Sequence, residues 1–137
     1  MDAATKSVAA SRIAAGFIAT LLAAFFAFVG YNKAFDSLAD LARYGSWTIW
    51  VPQSLGRMVG WSEIACALLL LAGLAHRPSQ RVGAWILVIN QLVAALVHAA
   101  HREFHALPQN LVLGLLLIFV AAARNRPSPT TTQGIIS

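Results

Sequence analysis

Along the chain the first long interruption of polar character is Ile13 to Gly30, 18 residues without a charge in which Thr20 is the one hydrogen-bonding side chain. A helix needs about 20 such residues to cross roughly 30 Å of hydrocarbon. Three more apolar runs follow, at 53–75 with Glu63 in its interior, at 81–101 with Asn90, Gln91 and His98, and at 107–123 after Pro108. In hydrocarbon every backbone N–H and C=O must be paired within its own segment, so runs of this length predict helices. The pattern predicts an all-α fold, a four-transmembrane-helix bundle over 13–124 with spans at about 13–30, 53–75, 81–101 and 107–123.

The long connection between the first two spans has its own periodicity. Phe35, Leu38 and Ala42 recur at helical spacing while Asp36, Asp40 and Arg43 take another face, which predicts a short amphipathic helix at the membrane interface. Tyr44, Trp47 and Trp50 come next, either an aromatic belt at headgroup depth or a lid over a cavity between the helices. Residues 1–12 read as an N-tail. Residues 125–137, rich in Ser, Thr and Pro, read as a disordered C-tail. Lys6 and Arg12 ahead of the first run also suit a signal peptide, but Tyr31, Asn32 and Lys33 do not form a small-residue cleavage site, so the run reads as a retained span.

Composition sharpens this picture. With 58% apolar and 11% charged residues and a mean hydropathy of +0.68, the chain falls far below the quarter of charged residues typical of soluble domains. Its 137 residues leave no room for a large extramembrane enzyme domain beside the spans. The net charge of +5 comes from singly scattered Lys and Arg, which points to the lipid bilayer and its anionic headgroups as partner and not to nucleic acid. Lys6, Arg12, Arg77, Arg81, Arg124 and Arg126 flank one side of the spans; Lys33, Arg43, Arg57 and Arg102 flank the other. That asymmetry predicts both termini in the cytoplasm. A single cysteine, Cys66, excludes dithiol chemistry.

Candidate chemistry lies in the polar residues of the spans. A carboxylate inside a membrane helix costs several kcal/mol unless paired or hydrated, so Glu63 calls for a partner. Counting about 1.5 Å per residue, Asn90 and His98 on the antiparallel third span fall within a turn of its level, and with His101 they form a polar stripe rising outwards. Lys33, closing the first span, either snorkels to the headgroups or folds over the bundle mouth towards Glu63. Such a set serves equally as an interhelical clamp or as a ligand and proton-relay site of Lys33, Glu63, Asn90, His98 and His101. His98 and His101 alone, without an H-E-x-x-H, predict no metal site. No self-sufficient catalytic motif is present.

The residues Gly30-x-x-Lys33, then Gly60-x-x-Glu63-x-x-x-Ala67 with Leu68 to Leu71 and Gly73, then His98, resemble the DoxX-like family over about residues 12–124. The resemblance implies a small integral membrane protein of a bacterial cytoplasmic (inner) membrane, with Lys33, Glu63 and His98 at the family's polar positions. Some members being membrane subunits of redox complexes, it further implies a membrane subunit or accessory of such a complex, with redox-complex proteins as partners. The polar residues then suit a quinone or similar ring between the second and third spans, in a cavity among Lys33, Glu63 and His98 beneath Trp47 and Trp50. The alternative is a non-catalytic scaffold or assembly factor whose polar network is purely structural.

Overall fold

The computed structural model describes residues 3–123; the predicted C-tail, with Arg124 and Arg126, lies outside them. All regular structure among the described residues is helical: α1 (Ala3–Phe35), α2 (Leu38–Arg43), α3 (Gln53–Ala72), α4 (Arg77–Ala100) and α5 (Leu107–Ala122), with 3-10 turns at Trp47–Trp50 and Phe104–Ala106. Four helices are long and apolar enough to cross a membrane, the last counted from Phe104. Phe17, Phe28, Leu92, Leu96 and Leu111 are each more than half exposed on the outside of the bundle. Apolar side chains presented outward in this way suit a lipid surround.

The helix ends differ from the hydropathy limits for local reasons. α1 starts at Ala3, well before Ile13, so the expected N-tail is mostly helix. Its 33 residues reach about 50 Å, more than the hydrocarbon needs. The segment before Ile13 is rich in alanine, the best helix former, and nothing in it breaks the turn. α4 likewise begins at Arg77 and absorbs Pro78, because proline is tolerated in a first helical turn. The short helix α2 also differs in its details. Ser37 caps it by accepting from the Asp40 amide at 3.2 Å, and its buried residue is Leu41, whereas Leu38 and Ala42 are exposed. Phe35 belongs to α1, where it meets Tyr31 and Trp61.

α1 packs chiefly on α3 and α4 on α5, while α3 against α4 and α1 against α5 close the ring. The order around the bundle is thus the order in sequence, as expected for an up-and-down bundle, here with short connections after α3 and α4 and a long one after α1. An apolar core occupies one half of its depth: Ala19, Leu22 and Phe26 of α1, Leu70 of α3, Leu87 of α4 and Leu117 of α5. The half beneath the 36–52 connection is built differently, and there the buried polar side chains Lys33, Thr48, Glu63, Gln91 and His98 gather.

Candidate functional site

Two glycines set the site's geometry. A Cβ on Gly60 would stand 2.6 Å from the Gly30 carbonyl oxygen, and one on Gly30 would stand 2.7 Å from the Gly60 oxygen. The backbones of α1 and α3 therefore touch, and no other residue type fits at either position. Three residues further on, Lys33 Nζ donates to Glu63 Oε1 at 2.6 Å. Gly56, one turn before Gly60 on α3, faces Thr48 of the connection instead of α1.

Glu63 is completely buried and Lys33 nearly so. From α4, Asn90 Nδ2 donates to the same Oε1 at 2.6 Å, so one carboxylate oxygen ties α1, α3 and α4 together. A buried ion pair is tolerable only when hydrogen bonds satisfy what the charges leave open. Oε2 has no partner among the described residues. Lys33 Nζ also lies 5.6 Å from the centroid of the buried Trp47 ring, within cation–π range.

A cavity of about 310 Å³ opens beside this cluster, walled by the parts of α1, α4 and α5 nearest the 36–52 connection and roofed by residues 44–47. Glu63, Lys33, His98, Gln91, Asn110 and Trp47 all line it. Lys33, Glu63 and His98 share this wall beneath Trp47, while α3 contributes Glu63 alone, so the space lies mainly among α1, α4 and α5 and not along the seam of the second and third spans. The α3–α4 seam is shut by close packing, with Cβ atoms at Gly73 or Gly83 colliding with Gln80 or Leu69, and by the Asn90 bond.

The polar stripe on α4 divides. Asn90 turns to α3, and Gln91, Ala94 and His98 take the cavity wall. His98 does not reach Glu63; its Nδ1 donates to Glu103 Oε2 at 2.7 Å. Glu103 gets there because α4 ends in a left-handed turn, with Arg102 at φ 61° and the Glu103 amide bonded to the His98 carbonyl at 2.8 Å, the Schellman arrangement. Beyond the helix end His101 leaves the stripe and stacks, exposed, on Trp50 with ring centroids 4.0 Å apart. Trp50 Nε1 donates to Glu103 Oε2 at 3.2 Å. That carboxylate fastens the 47–50 turn to the end of α4, and the bonds from His98 and Trp50, the first the stronger cause, hold its carboxyl below the usual range. Of the three lid aromatics, Tyr44 and Trp47 line the cavity; Trp50 is its fastening.

A family model described as the DoxX-like family matches residues 17–120. The chain belongs to the DoxX-like family. With its four membrane-length helices, this DoxX-like chain is an integral membrane protein. Among curated proteins and among solved structures, nothing matches it.

Reading the sequence alone misses three residues of this DoxX-like site: Gln91, Asn110 and Glu103. Gln91 and Asn110 are uncharged amides whose placement depends on how α4 and α5 meet. A signal for Glu103 exists in its position five residues after His98 at a helix end, where a Schellman turn returns the chain.

Proposed function

We propose that this protein is the membrane subunit or accessory of a redox complex, holding the polar ring of a lipid-soluble ligand such as a quinone in the outer cavity. One observation carries the reading. Of five buried polar side-chain atoms that lack partners among the described residues, all but Gln80 Nε2 belong to this one cavity wall: the donors Trp47 Nε1 and Asn110 Nδ2, and the acceptors Glu63 Oε2 and Gln91 Oε1. Buried polar groups are nearly always satisfied, and leaving one open costs about 1–3 kcal/mol. A quinone suits the set because its two carbonyls accept from Trp47, Asn110 or Lys33. Its reduced form turns both oxygens into donors, matched by Glu63 and Gln91. Reduction adds two electrons from a redox partner protein and two protons, for which Glu63 and the His98–Glu103 pair are the acidic and basic groups at hand.

This reading places the protein in a bacterial cytoplasmic membrane with both termini inside and the cavity in the outer half. The second reading, a scaffold or assembly factor, draws on the Lys33, Glu63 and Asn90 bonds, which join three helices as a clamp does. Titration of the protein in nanodiscs with menaquinone or ubiquinone separates them. In a Trp61→Phe, Trp85→Phe background, which removes two half-exposed indoles, saturable quenching is expected, and Asn110→Leu should weaken it about tenfold, the loss of one good hydrogen bond. Quenching that never saturates and is unchanged in Asn110→Leu overturns the quinone reading in favour of the clamp.

A further inference from the structure

A second space adjoins the cavity. Between α4 and α5, on the outside of the bundle, runs a groove of about 620 Å³ whose lining is apolar except for Gln91 and Asn110. Those two residues also line the inner cavity, so a single pair of amides stands between a polar chamber and an apolar channel. Gln91 Oε1 and Asn110 Nδ2 are both buried and unpartnered among the described residues. From Asn110 the groove passes Leu111, Gly114, Leu115 and Ile118 on α5, a descent of about 12 Å towards the middle of the membrane.

The geometry points to a membrane amphiphile whose ring lies in the outer cavity and whose long apolar tail leaves between Gln91 and Asn110 into the α4–α5 groove. This rests on the cavity reading above and adds the ligand's tail and its route. An amphiphile in a bilayer keeps its polar end near the headgroups and its tail towards the centre. The groove lies beside the chamber from Phe104 and Leu107 and continues past the chamber's last α5 residue, Leu113, to Ile118, the direction a tail takes. The amide pair fits the junction: bonded to a ring oxygen it orients the head, and its methylene stems lie along the first part of the tail. Gly114 widens the groove where a tail must pass. A Cβ at that position meets no atom within 4 Å, so the space is open and not filled by the protein's own side chains.

Gly114 also supplies the test. Gly114→Leu directs a side chain into the groove from a Cβ that meets no atom within 4 Å and replaces glycine by a better helix former, so the fold is expected to hold. Binding of two probes is compared in nanodiscs: menadione, a naphthoquinone ring without a tail, and menaquinone, the same ring with its polyprenyl tail. The expected result is that Gly114→Leu weakens menaquinone about tenfold and leaves menadione unchanged, the latter reporting an intact cavity. Two results overturn the tail route: unchanged affinity for both probes, which makes the groove a seat for ordinary bilayer lipid, or equal weakening of both, which places the effect in the chamber. Failure of wild type to bind either probe saturably removes the cavity reading itself and the tail route with it.

Discussion

Moving a carboxylate from water into a helix bundle costs several kcal/mol, and at Glu63 the compensation comes from one lysine and one asparagine. Removing half of such a pair is worse than removing all of it. Lys33→Met should lower stability by about 3–5 kcal/mol, because it strands a buried charge, whereas Lys33→Met with Glu63→Leu should regain most of that loss. Unfolding in mixed micelles by denaturing detergent would show it, and a double variant no more stable than the single would contradict the pairing. Glu103 obeys a different rule, since it lies at the rim and its bonds to His98 and Trp50 favour the ionised form. A carboxyl depressed in the folded state contributes stability above its unfolded value, about 4.3, and loses it as pH falls through the lower folded value. The fastening of the 47–50 turn should therefore hold at neutral pH and release only below about pH 4.3. Trp50 fluorescence followed against pH would reveal the step, and a midpoint in the neutral range would take the assignment away from Glu103.

At the scale of the element, glycine positions that look alike in sequence have opposite surroundings. Gly60→Ala would drive a methyl group to 2.6 Å from the Gly30 oxygen, so the α1–α3 contact must open, at about 1–3 kcal/mol. Gly114→Ala meets open space and should be neutral or stabilising by up to about 1 kcal/mol, the helix-propensity gain. The same unfolding assay ranks the two, and equal effects would refute the contrast. Four spans are legible in the sequence because hydropathy over about 20 residues is a property of each helix alone. Lys33 beside Glu63 is legible as one of two alternatives, the other being a lysine that snorkels to the headgroups. The backbone contact of Gly30 with Gly60 one turn earlier is not legible, since it depends on how α1 and α3 meet. What escapes is whatever depends on how helices meet or end. His101 sits at stripe spacing from His98, yet α4 stops at Ala100 and the left-handed Arg102 sends the chain another way. Gln91 beside Asn90 carries no distinguishing mark until the cavity exists.

Across the whole molecule the two halves of the bundle have different jobs to do. An apolar core of close-packed Ala, Leu and Phe holds one half together, and the other half gives up packing for a cavity, buried polar atoms and a roof fastened at its edge. Such a division is useful only if the membrane orients it, with the roofed half turned to a fixed side. Among the described residues the basic side chains divide evenly, Lys6, Arg12, Arg77 and Arg81 at the end away from the roof and Lys33, Arg43, Arg57 and Arg102 at the roofed end. In the sequence Arg124 and Arg126, after α5, add two to the first group. By the positive-inside rule that excess of two predicts the roof outside and the 73–76 turn in the cytoplasm. Exposed positions on each side make the test direct. In a Cys66→Ala background, Ala42→Cys on α2 should react with an impermeant maleimide on intact cells, and Ala75→Cys between α3 and α4 should react only after the membrane is broken. The reverse pattern would turn the protein over, direct the cavity and its fastening to the cytoplasm, and require the protons for any bound quinone to be drawn from the inner side.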